Sequence, residues 1–112
     1  MLDKKNFYID GKWITPIDPR NYKVIDPSNE EICAEISLGG KKDVDKAVGA
    51  AKKAFQTWAF SKKEERLELL EKLYVVYKKR WAEMAKLISL EMGAPMKFST
   101  EMQAATGASH IK

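Results

Sequence analysis

The hydrophobic pattern of this chain changes period at Gly39-Gly40, and that change limits the fold more than any other feature. Before it, apolar residues stand in short β-rich runs or alternate; after it they recur about every 3.6 residues. A chain laid out in this way starts as strands and continues as helices, an α/β arrangement.

The strand region has clear punctuation. Phe7-Tyr8-Ile9 and Lys12-Trp13-Ile14 flank Asp10-Gly11, the pair that favours a type I′ turn, so a β-hairpin is expected. Thr15 to Asn21 holds two prolines, which remove backbone donors and restrict their predecessors, and reads as a loop. Tyr22 to Ile25 reads as a strand closed by the turn-forming Asp26-Pro27-Ser28-Asn29. In the segment from Glu31 to Leu38, Ile32, Ala34 and Ile36 alternate with Cys33, Glu35 and Ser37, the pattern of a half-buried strand.

Four helical segments follow. Val44, Ala47, Val48, Ala51, Phe55 and Trp58 share one face of a helix over 42–58, with Asp43 and Asp45 in the first turn, where negative charge suits the macrodipole. Ser61 and Glu64 have the spacing of a capping box for a second helix. The apolar face of that helix is Leu67, Leu70, Leu73, Tyr74, Tyr77 and Trp81, and the pattern runs on to residue 92, long enough to predict a break near Arg80 to Ala82. Gly93 supplies a stop and Pro95 a new start, after which Phe98, Met102, Ala105 and Ser109 fall on one face. The pattern reaches Lys112 without a cap, which fits either a chain cut inside an element or an end that frays.

Composition excludes several function classes. With 112 residues the chain is one domain or a piece of one, too short for a complete enzyme that binds a dinucleotide and a second substrate. The net charge of +4 comes from 17 lysines and 3 arginines dispersed among 16 acids, which describes a solvated surface, so no nucleic-acid partner is expected. Apolar runs are too short for a membrane helix, and the N-terminus lacks a signal-peptide core, so no membrane association and a cytoplasmic location are expected. One cysteine, Cys33, and one histidine, His110, build neither a disulfide framework nor a zinc site. The six glycines form no Gly-x-Gly-x-x-Gly, and Gly39-Gly40-Lys41-Lys42 lacks the earlier glycine and the hydroxyl residue of a phosphate loop. Cys33 stands mid-strand with no histidine nearby to activate it and reads as structural. Glu91, just before the Met92-Gly93-Ala94-Pro95 break, is either an exposed acid in a last turn or a ligand that joins irregular backbone carbonyls around a cation.

The order of several blocks resembles the N-terminal segment of the NAD(P)-dependent aldehyde dehydrogenases. These blocks are Phe7-Tyr8-Ile9-Asp10-Gly11-Lys12-Trp13, Val24 to Ile32, Asp43 to Val48 with Ala50 to Phe55 and Trp58, Glu65-Arg66-Leu67-Glu68-Leu69-Leu70 and Leu90-Glu91-Met92-Gly93-Ala94-Pro95. Ala94 departs from the lysine that many members carry, and Asp26 from the usual asparagine.

The resemblance implies the aldehyde dehydrogenase fold with its modified Rossmann domain, residues 1–112 being the N-terminal part of the cofactor-binding domain. It implies an oxidoreductase that takes an aldehyde to a carboxylic acid, or to a thioester in some members, with NAD or NADP as hydride acceptor, and that works as a homodimer or homotetramer. The family's nucleophilic cysteine, glutamate base and oxyanion asparagine belong to motifs outside these residues, so the chain alone is expected to be inactive, with no catalytic or cofactor-binding residue of its own. Two roles carry over. A structural Na+ or K+ would take the carbonyl of Ile25, with that of Val24, and the carboxylate of Glu91. Met102 and Thr106, one helical turn apart, would face the aldehyde tunnel. The competing reading is a stand-alone α+β interaction module without catalysis.

Overall fold

The computed structural model describes all residues from Met1 to Lys112. It divides into two compact units, Met1–Ile25 with Ile32–Phe60, and Asp26–Glu31 with Ser61–Lys112.

The first unit holds five strands, β1 (Leu2–Lys4), β2 (Phe7–Ile9), β3 (Lys12–Ile14), β4 (Arg20–Ile25) and β5 (Ile32–Leu38), and helix α1 (Lys41–Trp58). β2 and β3 form the expected hairpin, with Asp10 at φ +54° and Gly11 at φ +73°, both left-handed as a type I′ turn requires. Tyr8 lies opposite Trp13, their rings 5.2 Å apart and edge-on. β5 is the centre of a second sheet, antiparallel to β4 and parallel to β1. β1 has too few residues to show a period, so the sequence pattern does not mark it, and pairing with β5 defines it.

Helix α1 begins one residue before its expected start. Asp43 does more than complement the dipole. Buried in the first turn, its carboxylate accepts the amide of Gly40 at 3.0 Å and that of Ile17, in the Pro-rich loop, at 2.9 Å. Of the expected apolar face, Ala47 is half-buried while Val44, Val48, Phe55 and Trp58 are exposed. The small residues Ala47, Ala50, Ala51 and Ala54 line a shallow cavity with the hairpin turn.

The second unit contains the Asp26–Glu31 turn and the remaining helices. In the turn, Asp26 Oδ1 accepts the backbone amide of Ser28 at 2.8 Å and its hydroxyl at 2.6 Å. Helix α2 (Lys63–Lys79) and helix α3 (Trp81–Met92) meet at Arg80, inside the expected break. The expected Ser61–Glu64 box is displaced by one residue. Lys62 is the cap, its amide donating to Glu65 Oε2 at 2.8 Å, while the buried Ser61 hydroxyl has no partner. Local spacing cannot fix such a register, because Glu64 and Glu65 offer equivalent carboxylates one residue apart.

Gly93, at φ +72°, caps α3 by donating to the carbonyl of Ser89 at 2.9 Å. After Pro95 come α4 (Met96–Phe98), a π-helical turn (Ser99–Gln103) and α5 (Ala104–Ile111). The expected Phe98, Met102, Ala105, Ser109 face is not the packed one. Phe98 and Met102 are exposed and the buried residues are Ser99, Ala104 and Ala108. Ser99 to Ala104 is a spacing of five and Ala104 to Ala108 one of four, so a π turn followed by α-helix replaces an unbroken 3.6 period.

Candidate functional site

The residues that a functional reading singles out gather best around the π turn of the second unit. A wide turn breaks the i to i−4 ladder and leaves carbonyls that need donors. Helices α2 and α3 supply them from the side. Trp81 Nε1 donates to the carbonyl of Thr100 at 2.9 Å, and the Tyr77 hydroxyl to that of Ala104 at 2.8 Å. Ser89 Oγ donates to the carbonyl of Ala94 at 2.7 Å, fixing the entry to the segment. The Tyr77 and Trp81 rings meet edge-on at 6.1 Å across the α2–α3 break, and Arg80, between them, forks onto both oxygens of Glu83 at 2.8 Å. Local threonines do the rest, Thr100 Oγ1 donating to the carbonyl of Met96 at 2.8 Å and Thr106 Oγ1 to that of Met102 at 3.0 Å.

Met102 and Thr106 are therefore brought together. They stand one turn apart, joined through the Thr106 hydroxyl, and both are exposed. Met102 is exposed and the threonine hydroxyl is occupied by backbone, so this face offers mainly apolar contact. Tyr77 and Trp81 show on the sequence only as apolar-face residues. The one sequence signal bearing on a donor role, a polar tip on each of two large aromatics four residues apart beside a predicted helix break, does not say which acceptors they reach.

The other residues lie elsewhere. Ile25 ends β4 at the point where its register against β5 shifts, and the carbonyl of Val24 accepts the Cys33 thiol at 3.4 Å. Cys33 is half-buried on β5, consistent with a structural thiol. Glu91 is exposed in the last turn of α3 in the second unit, and His110 is exposed near the end of α5. No three His, Cys, Asp or Glu side chains cluster as metal ligands, so a cation held by this chain would depend mainly on backbone carbonyls. No helix is long and apolar enough to cross a membrane.

Comparison with known proteins extends this picture. The family model described as "Aldehyde dehydrogenase family" matches residues 13–112. A 3-succinoylsemialdehyde-pyridine dehydrogenase of a Pseudomonas species is 43% identical over 112 residues, covering 99% of this chain and 24% of that protein. Among solved structures, the aldehyde dehydrogenase of Bartonella henselae superposes with a TM-score of 0.97 at 55% identity, over 99% of this chain and 23% of its own. A mutant of aldehyde dehydrogenase C from Pseudomonas syringae, complexed with NAD+ and octanal, superposes with a TM-score of 0.93 at 37% identity, over 96% of this chain and 22% of its own. The chain thus spans about a quarter of the length of these relatives. From the hairpin's second strand through the capped break at Gly93 to the last helix, sequence and backbone follow one pattern, and the chain belongs to the aldehyde dehydrogenase family.

Proposed function

We propose that these residues form the N-terminal part of the cofactor-binding domain of a cytoplasmic, homodimeric or homotetrameric enzyme that oxidises an aldehyde to a carboxylic acid. In this reaction the aldehyde hydrogen leaves as hydride to NAD+ or NADP+, and water supplies the second oxygen of the acid. The observation that carries the reading is the family match over residues 13–112. The NAD+ and octanal bound by the Pseudomonas syringae relative support the same ligand classes here.

The contribution of this segment in that enzyme is scaffold. It holds no glycine-rich phosphate turn, and its one thiol is a strand residue bonded to a carbonyl, so nucleophile, base and dinucleotide site fall to the portion of the relatives that it does not span. Within the same proposal, Ile25 and Glu91 serve a structural Na+ or K+, and Met102 and Thr106 border the aldehyde tunnel. The test is expression of the full reading frame beside the 112-residue chain, following NADH formation with octanal. The full-length protein is expected to reduce NAD+ only when aldehyde is present, and the short chain not at all. A frame that stops after Lys112, or a full-length protein inert toward a panel of aldehydes with both cofactors, would overturn the reading in favour of an interaction module. A Glu91→Ala variant whose stability keeps its full potassium dependence would remove the cation role alone.

A further inference from the structure

We propose that Tyr77 and Trp81 are positioning residues for aldehyde selection, because they hold open the π turn that sets where Met102 and Thr106 point. The inference rests on the proposed tunnel role of those two residues. A π turn carries one residue more than an α turn, so everything beyond it is offset by about 100° from an uninterrupted helix. The offset is visible in the buried set, where Ser99 is followed by Ala104 rather than by residue 102 or 103. Were the turn to close into α-helix, the Ala104 and Ala108 face would rotate off its packing, Thr106 beyond the turn would rotate with it, and Met102 inside the turn would change direction by part of that angle.

Three observations show that the wide turn is held from outside. Both carbonyls served by tertiary aromatic donors, those of Thr100 and Ala104, lie within the turn or at its exit. The two donors are locked to each other edge-on. Gly107, one turn beyond, has no room for a side chain, since a Cβ there would lie 2.8 Å from Cζ of Tyr77. The missing side chain lets the phenol reach the Ala104 carbonyl.

The experiment uses the full-length enzyme and compares kcat/KM for octanal with kcat/KM for propanal. Tyr77→Phe and Trp81→Phe keep an aromatic ring and delete the donor. Each is expected to shift the octanal-to-propanal ratio by on the order of tenfold, the discrimination that one or two methylenes supply in an apolar pocket, with kcat for propanal little changed. A purely structural role would lower thermal stability and leave the ratio where it was. Gly107→Ala, whose Cβ would push the Tyr77 phenol off the Ala104 carbonyl while both donor residues stay in the sequence, is a second route to the same shift should a Phe variant fold poorly. Met102→Trp serves as the reference for the tunnel itself. If Met102→Trp moves the ratio while the Tyr77, Trp81 and Gly107 variants do not, the positioning role is overturned and the tunnel reading stands. If Met102→Trp leaves the ratio unchanged, the tunnel reading fails and the positioning role fails with it.

Discussion

A methyl group added at Gly93 would meet two obstacles at once. The backbone there is left-handed at φ +72°, which strains any residue with a Cβ, and that Cβ would lie 2.7 Å from Cγ of Pro27. Gly93→Ala should therefore destabilise the fold by about 2 kcal/mol or more, the sum of a left-handed penalty and an overpacked contact. Urea titration followed by circular dichroism would show this as a lower midpoint with an unchanged slope, and an unchanged midpoint would contradict it. Half of this result was legible in the chain. Glycine followed by a proline two residues on announces a helix stop, as Asp10-Gly11 announces a type I′ turn, because both depend on φ/ψ limits within a few residues. The Pro27 contact was not legible, since it joins positions far apart in sequence. The same division holds at the candidate site, where Met102 and Thr106 could be placed one turn apart by spacing while the donors Tyr77 and Trp81 could not.

Helix starts illustrate how elements are fixed. Asp43 joins the first turn of α1 to the loop before β4, and its carboxyl is held below the ordinary carboxylate range, first by the amide of Gly40 and then by that of Ile17. A folded-state pKa below the unfolded value contributes stability that is complete above the unfolded value, about 3.9, and is lost as pH falls through the folded one. Asp43→Asn removes that titration and should lower the melting temperature at neutral pH. The gap between parent and variant should narrow as pH drops below about 4, and a gap that stays constant down to pH of about 2 in thermal melts would contradict the assignment. Element types and most boundaries followed from periodicity, including the break at Arg80. The last segment did not, because a single wide turn shifts every later residue and has no side-chain period of its own.

In the molecule as a whole, apolar faces outnumber the surfaces that cover them. The completely buried side chains are only Ala85, Ala104 and Ser99, whereas Phe55, Trp58, Phe60, Leu67, Leu70 and Leu73 are exposed on or beside α1 and α2. A soluble monomer rarely leaves so many large apolar side chains open. The 112-residue chain should therefore enhance the fluorescence of a hydrophobic dye and self-associate in sedimentation experiments, whereas the full-length protein should enhance that fluorescence less. A dye-silent, monomeric short chain would contradict this. The apolar stripes themselves could be read directly from the chain, since side-chain direction along a helix or strand is a local consequence of backbone geometry. Strand and helix order, the hairpin and the family pattern were readable for the same reason. The pairing of β1 with β5, the reach of Asp43 to Ile17, the π turn and its aromatic donors were settled only by folding, because each depends on groups distant in sequence finding or lacking a partner in space.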